Sequence, residues 1–195
     1  EVWIEKDALI GVLDSICPEL DVPYFSCRGY VSQSEMWSAA MRFVRQYKQG
    51  KKDIFIIHLG DHDPSGIDMT RDIEARIAGF ISRHVSLDNK DFRIERIALN
   101  IDQVREFNPP PNPAKVTDSR AVGYIDQFGE ESWELDALEP AALVALIREA
   151  VMAHRDERDW DKAVMQEEID KAELQACADR WDDVSHFLND NPNEE

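Results

Sequence analysis

His58-Leu59-Gly60-Asp61-His62-Asp63-Pro64-Ser65-Gly66 is the stretch that decides how this 195-residue chain is read. Ile54-Phe55-Ile56-Ile57 leads into it and is apolar and β-prone, so a strand runs straight into two carboxylates one residue apart. Pro64 and Gly66 break that strand, and a helical pattern begins at Ile67. A strand that stops on Asp-x-Asp aims both acids at the crevice beyond its carboxyl end, where open α/β sheets bind ligands. Two close carboxylates repel each other unless a cation sits between them, and Mg²⁺ would serve.

Working outward, strands alternate with helices. Val2-Trp3-Ile4 reads as a short buried strand, and Ala8, Leu9, Val12, Leu13 and Ile16 as a helix ended by Pro18. Val22 to Cys27 is a second strand with Arg28-Gly29-Tyr30 as its exit. Ser32-Gln33-Ser34-Glu35 opens a helix with Met36, Trp37, Ala40, Phe43 and Val44 on its apolar face. Asp53 to Leu59 is the third strand, Ile67 to His84 an amphipathic helix, and Phe92 to Leu99 a fourth strand. This alternation predicts an α/β fold, a parallel sheet of about four strands with helices on both faces. Beyond Asn100, Asp102 to Phe107 reads as a short helix, residues 108–113 as a stiff polyproline-like connector, and Ser119 to Phe128 as a helix stopped by Gly129. A long helix is expected from Pro140, with charges from His154 to Lys162 on its far half, and a last short helix around Trp181, Val184, Phe187 and Leu188. The expected division is a metal-binding domain over 1–138 and a helical acidic C-terminal extension over 139–195.

Composition narrows the class. Net charge is −18, which argues against strong DNA binding by the chain alone, since phosphate neutralisation dominates nonspecific affinity. The acid excess is heaviest after Glu130, so the repulsion falls on the C-terminal region more than on the Asp-x-Asp strand. No apolar run approaches the roughly 18 residues of a membrane helix. Cys17, Cys27 and Cys177 are scattered and odd in number, which fits a cytoplasmic location, nucleoid-associated if the source is prokaryotic. A strand beginning at Val2, behind Glu1 and without a Met, reads as the C-terminal part of a longer protein.

Glu5 is the second acidic signal. It closes the first strand as Asp61 and Asp63 close the third, so neighbouring parallel strands would gather all three at one edge. Glu5 followed by Gly60-Asp61-His62-Asp63-Pro64-Ser65-Gly66 resembles a Toprim domain, the Rossmann-like metal-binding fold of topoisomerases, bacterial primases and some nucleases. Asp-x-Asp-Pro-x-Gly narrows the resemblance to the topoisomerase VI A subunit and the related meiotic double-strand-break protein. Arg96-Ile97-Ala98-Leu99, Asp102-Gln103-Val104, Asn112-Pro113-Ala114-Lys115, Asp118-Ser119-Arg120 and Trp133-Glu134-Leu135-Asp136-Ala137-Leu138 are similar to segments that follow in that family. The likeness covers roughly residues 2 to 150.

The resemblance implies Mg²⁺, or Mn²⁺, held by Glu5, Asp61 and Asp63, with Glu5 also handling a proton. DNA is then the substrate, acted on by a homodimer or with a partner subunit. Arg28, Lys115 and Arg120 become candidate DNA contacts. That family cuts with a tyrosine on a preceding winged-helix domain. Tyr24, Tyr30, Tyr47 and Tyr124 lie within or after the sheet, so none is assigned as the nucleophile. Two alternatives remain: a metal-dependent nuclease of a defence or mobile-element system, and a non-catalytic dimerisation module. Asp68 and Asp72 are read as complementing the N-terminus of their helix, Glu134 and Asp136 as bracing the sheet, and His58 and His62 as pointing differently from Asp61.

Overall fold

A computed structural model of the chain describes residues 1–50, 53–86, 91–114 and 120–190. The chain divides into two compact units, with the boundary between Ala153 and His154. The first is an α/β unit built on four parallel strands: β1 (Val2–Ile4), β2 (Tyr24–Ser26), β3 (Ile54–Leu59) and β4 (Phe92–Ala98), in spatial order β2-β1-β3-β4. Helices α1 (Ile10–Ile16), α2 (Gln33–Lys48) and α3 (Pro64–Ile81) lie between those strands, and α4 (Ile101–Phe107) follows β4.

Strand alternation divides the core in two. Val2, Ile4, Ile57 and Leu59 face one side and pack with Val12, Leu13 and Ile16 of α1. Trp3, Ile54 and Ile56 face the other and pack with Met36, Ala40 and Phe43 of α2 and Ile73, Ile77 and Ile81 of α3. Helices therefore cover both faces, as expected for parallel strands. The start of α2 follows the sequence signal: Ser32 and Glu35 form a reciprocal capping box.

The register brings the acidic segments together. Ile4 lies opposite Leu59, so Glu5 leaves β1 where Gly60 leaves β3. The Glu5 amide donates to Leu59 O at 2.9 Å, and Gly60 extends the β3–β4 ladder through bonds to Ala98 and Leu99.

Several local expectations change. The third helix starts at Pro64, not Ile67: Asp63 is its N-cap, accepting from Gly66 N at 2.6 Å, and proline is favoured in the first turn, where an amide would lack a partner. Asp68 and Asp72, expected to complement the helix N-terminus, lie beyond its first turn and pair with Tyr30, Arg71 and Arg76. The proline-rich connector ends in a short antiparallel pair, β5 (Asn112–Pro113) with β6 (Glu131–Ser132), on either side of α5 (Ala121–Phe128). The long helix expected from Pro140 is two helices. Helix α6 (Pro140–His154) ends, and α7 (Glu157–Asp179) starts afresh because Asp156 accepts from the amides of Arg158 and Asp159.

Leu143, Ile147, Ala150 and Val151 of α6 join the α1 side of the core, so the compact unit continues past the expected boundary at residue 138. The second unit carries α7 and α8 (Trp181–Asp190), neither of which contains a buried residue. Ile147→Ala should therefore cost about 2–5 kcal/mol in urea unfolding, as for a buried aliphatic truncation. Met165→Ala, on exposed α7, should change stability by less than about 0.5 kcal/mol.

Candidate functional site

The carboxyl edge of β1 and β3 gathers Glu5, Asp61 and Asp63. Glu5 Oε2 accepts from the Asp61 amide at 2.9 Å, so the first acid is bonded to the backbone of the second. Burial, then the nearby charges of Asp61 and Asp63, raise the Glu5 pKa to about 7. Two glycines make the crowding possible. A Cβ on Gly60 would lie 2.7 Å from Glu5 Oε2, and one on Gly66 would lie 2.2 Å from the Asp61 carbonyl oxygen.

The other two carboxylates are partly engaged. Asp61 Oδ1 accepts from Leu135 N at 2.7 Å and lies 3.6 Å from Lys6 Nζ. Burial raises the Asp61 pKa, while the Leu135 amide and Lys6 pull it back. Lys6 also pairs with Glu134 at 2.9 Å and Asp136 at 3.0 Å. Glu134 and Asp136 therefore clamp a lysine beside Asp61. Asp63 Oδ1 is occupied by its helix cap.

Beneath the acids lies Arg96. Its Nη1 donates to Gly66 O and Thr70 Oγ1 at 3.0 Å each, and its Nη2 to Gly60 O at 2.9 Å and Asp61 O at 2.5 Å. Burial lowers its pKa to about 10 against the attraction of Glu5, Asp61 and Asp63. Both histidines of the motif are buried. His58 Nδ1 bonds Thr70 Oγ1 at 2.9 Å, its Nε2 has no partner among the described residues, and burial pushes its pKa down to about 3. His62 bonds the Tyr124 hydroxyl at 2.7 Å and pairs through its backbone with Trp133; burial lowers its pKa to about 4.

The candidate DNA contacts are placed differently. Arg28 follows β2, and the next amide, Gly29, donates to Glu5 O at 3.4 Å, but the Arg28 side chain turns to Asp7 at 3.1 Å. Arg120 bonds the Tyr30 hydroxyl, stacks over that ring and lies 3.4 Å from Asp68. Lys115 lies outside the described residues. A cavity of about 910 Å³ sits at the amino end of the strands, lined by Glu1, Pro23, Arg42, Asp53 and Phe55 among others. The acids are at the opposite end, so that volume has no bearing on them.

The donor chemistry fits a hard divalent cation. Glu5 Oε1, Asp61 Oδ2 and Asp63 Oδ2 have no hydrogen-bond partner among the described residues. The placement is not a closed ligand set: among the described residues no three His, Cys, Asp or Glu form a group that would hold a metal ion. Lys6, Arg96 and the Leu135 amide were not assigned from sequence. The signal available for Lys6 was its opposite charge immediately after Glu5, and for Arg96 a basic residue leading into apolar Ile97-Ala98-Leu99. The chain matches no protein-family model and no curated protein.

Gly66→Ala should lose about 1–3 kcal/mol of stability in denaturant unfolding, because its Cβ meets a backbone carbonyl that cannot move aside cheaply. His58 predicts a pH effect. Its folded pKa is depressed below the ordinary histidine value of about 6.5, so its contribution is present above pH 6.5 and is lost as pH falls toward about 3. His58→Gln should reduce the slope of unfolding free energy against pH between 6.5 and 5 by about 1 kcal/mol per pH unit.

Proposed function

We propose that the chain is a Toprim-like module of a DNA-cleaving protein, holding Mg²⁺ or Mn²⁺ through Glu5, Asp61 and Asp63 for phosphodiester transfer resembling DNA breakage by the topoisomerase VI A subunit. The observation that carries this reading is the departure of Glu5 and Asp61-x-Asp63 from adjacent parallel strands at the same edge. Bound there, the ion would supply charge stabilisation to the attacking and leaving oxygens. The residues supply the rest. Arg96 fixes the turn carrying Asp61, the Asp63 cap fixes the start of α3, and Glu5, with a pKa of about 7, can hold or release a proton at Oε1 near neutrality.

The nucleophile belongs to another region of the protein, or is water. Tyr124 is buried, and its hydroxyl is engaged by His62 and the carbonyls of His62 and Glu131. Tyr24 donates to Asp14, and Tyr30 to Asp68. A water nucleophile corresponds to the nuclease reading. DNA is the partner in both, engaged by a homodimer or with a second subunit. One observation favours a non-catalytic interaction module instead: a net charge of −18 opposes approach of a polyanion.

Mg²⁺ or Mn²⁺ should raise the melting temperature of the wild type and leave the Asp61→Asn, Asp63→Asn double variant unmoved; equal responses would remove the metal site. Incubated with supercoiled DNA, the full-length protein should leave either a covalent protein–DNA adduct or free nicked ends. The adduct supports the topoisomerase-like reading, free ends the nuclease, and intact DNA the interaction module.

A further inference from the structure

We propose that Lys6 is a positioning residue of the acidic edge: together with the Leu135 amide it holds Oδ1 of the Asp61 carboxylate toward the Glu134–Ala137 turn, and its ammonium weakens the binding of a divalent cation at that carboxylate. The role rests on the metal-binding reading above.

The geometry is specific to this turn. Glu5 Oε2 holds the Asp61 amide at 2.9 Å, which fixes the Asp61 backbone beside Glu5. Its carboxylate is drawn elsewhere, to Leu135 N at 2.7 Å and Lys6 Nζ at 3.6 Å. Lys6 is itself tied to Glu134 and Asp136, which flank Leu135. Its side chain is 23% exposed, so solvent screens these pairs less than it would a surface lysine's. The clasp joins the end of β1 to a turn 128 residues later.

Lys6 thus stands as an internal counter-cation. Its ammonium offsets the repulsion among Asp61, Glu134 and Asp136, and its positive charge opposes a dication approaching Asp61. Arg96 adds positive charge to the same edge but does not hold the Asp61 carboxylate, because its bonds go to carbonyls and to Thr70 and not to the carboxylates.

The test uses the whole chain and Mn²⁺ as the probe. Lys6→Met, which keeps the aliphatic stem, should bind Mn²⁺ about three- to tenfold more tightly by titration calorimetry. Lys6→Arg should return the affinity toward the wild type. Lys6→Gln is the second variant if Met perturbs folding. Equal or weaker Mn²⁺ binding by both neutral variants would overturn the role. If neither wild type nor variants bind Mn²⁺, the metal site itself falls, and the clasp's role toward a metal falls with it.

Discussion

The guanidinium of Arg96, on the edge strand β4, reaches under the acidic turn and donates to the carbonyls of Gly60, Asp61, Gly66 and Leu99. A cation buried this deeply is tolerated only if most of its donors are satisfied. The β3–α3 turn satisfies Nη1 and Nη2 by directing its carbonyls inward, while Nε has no partner among the described residues. The chain is tight there: Gly66 lies against the Asp61 carbonyl, where no side chain could fit without moving backbone, and Gly60 lies against the Glu5 carboxylate. Thr70, in the second turn of α3, completes the arrangement by bonding both Arg96 and the neutral His58. The strand end, the turn and the helix start are therefore fixed by one buried cation.

Charge balance at this edge follows. Glu5, Asp61 and Asp63 lie close enough for the last two to raise the proton affinity of the first. Arg96 supplies positive potential from below, and Lys6 supplies an ammonium at the rim. The −18 charge of the chain says little about this local field, because the acidic edge carries its own internal cations.

Much of the frame was legible in the sequence. Apolar strands ending in acids, a Ser-x-x-Glu cap and helical spacing over α2 and α3 yield the parallel sheet and its covered faces, because strand and helix periods are local properties of side-chain spacing. The pairing of Glu5 with the Asp-x-Asp strand was also readable, since each acid terminates an apolar run. Boundaries that depend on one capping group were less legible. Asp63 begins α3 three residues earlier than periodicity indicates, and Asp156 divides one expected helix into two. A short polar side chain bonding a nearby amide leaves no trace in hydrophobic spacing.

The order of the sequence determined the element types, the sheet's carboxyl edge and the three acids placed there. Tertiary structure alone decided where those acids point. Asp61 turns to Leu135 and Lys6 because the chain from 133 to 137 returns to that edge, and Arg96 arrives from a neighbouring strand. Those partners are 74, 55 and 35 residues from Asp61 along the chain, and no local pattern encodes a contact at such separations. Side-chain spacing decides which edge a residue occupies; long-range packing decides what each charge meets there.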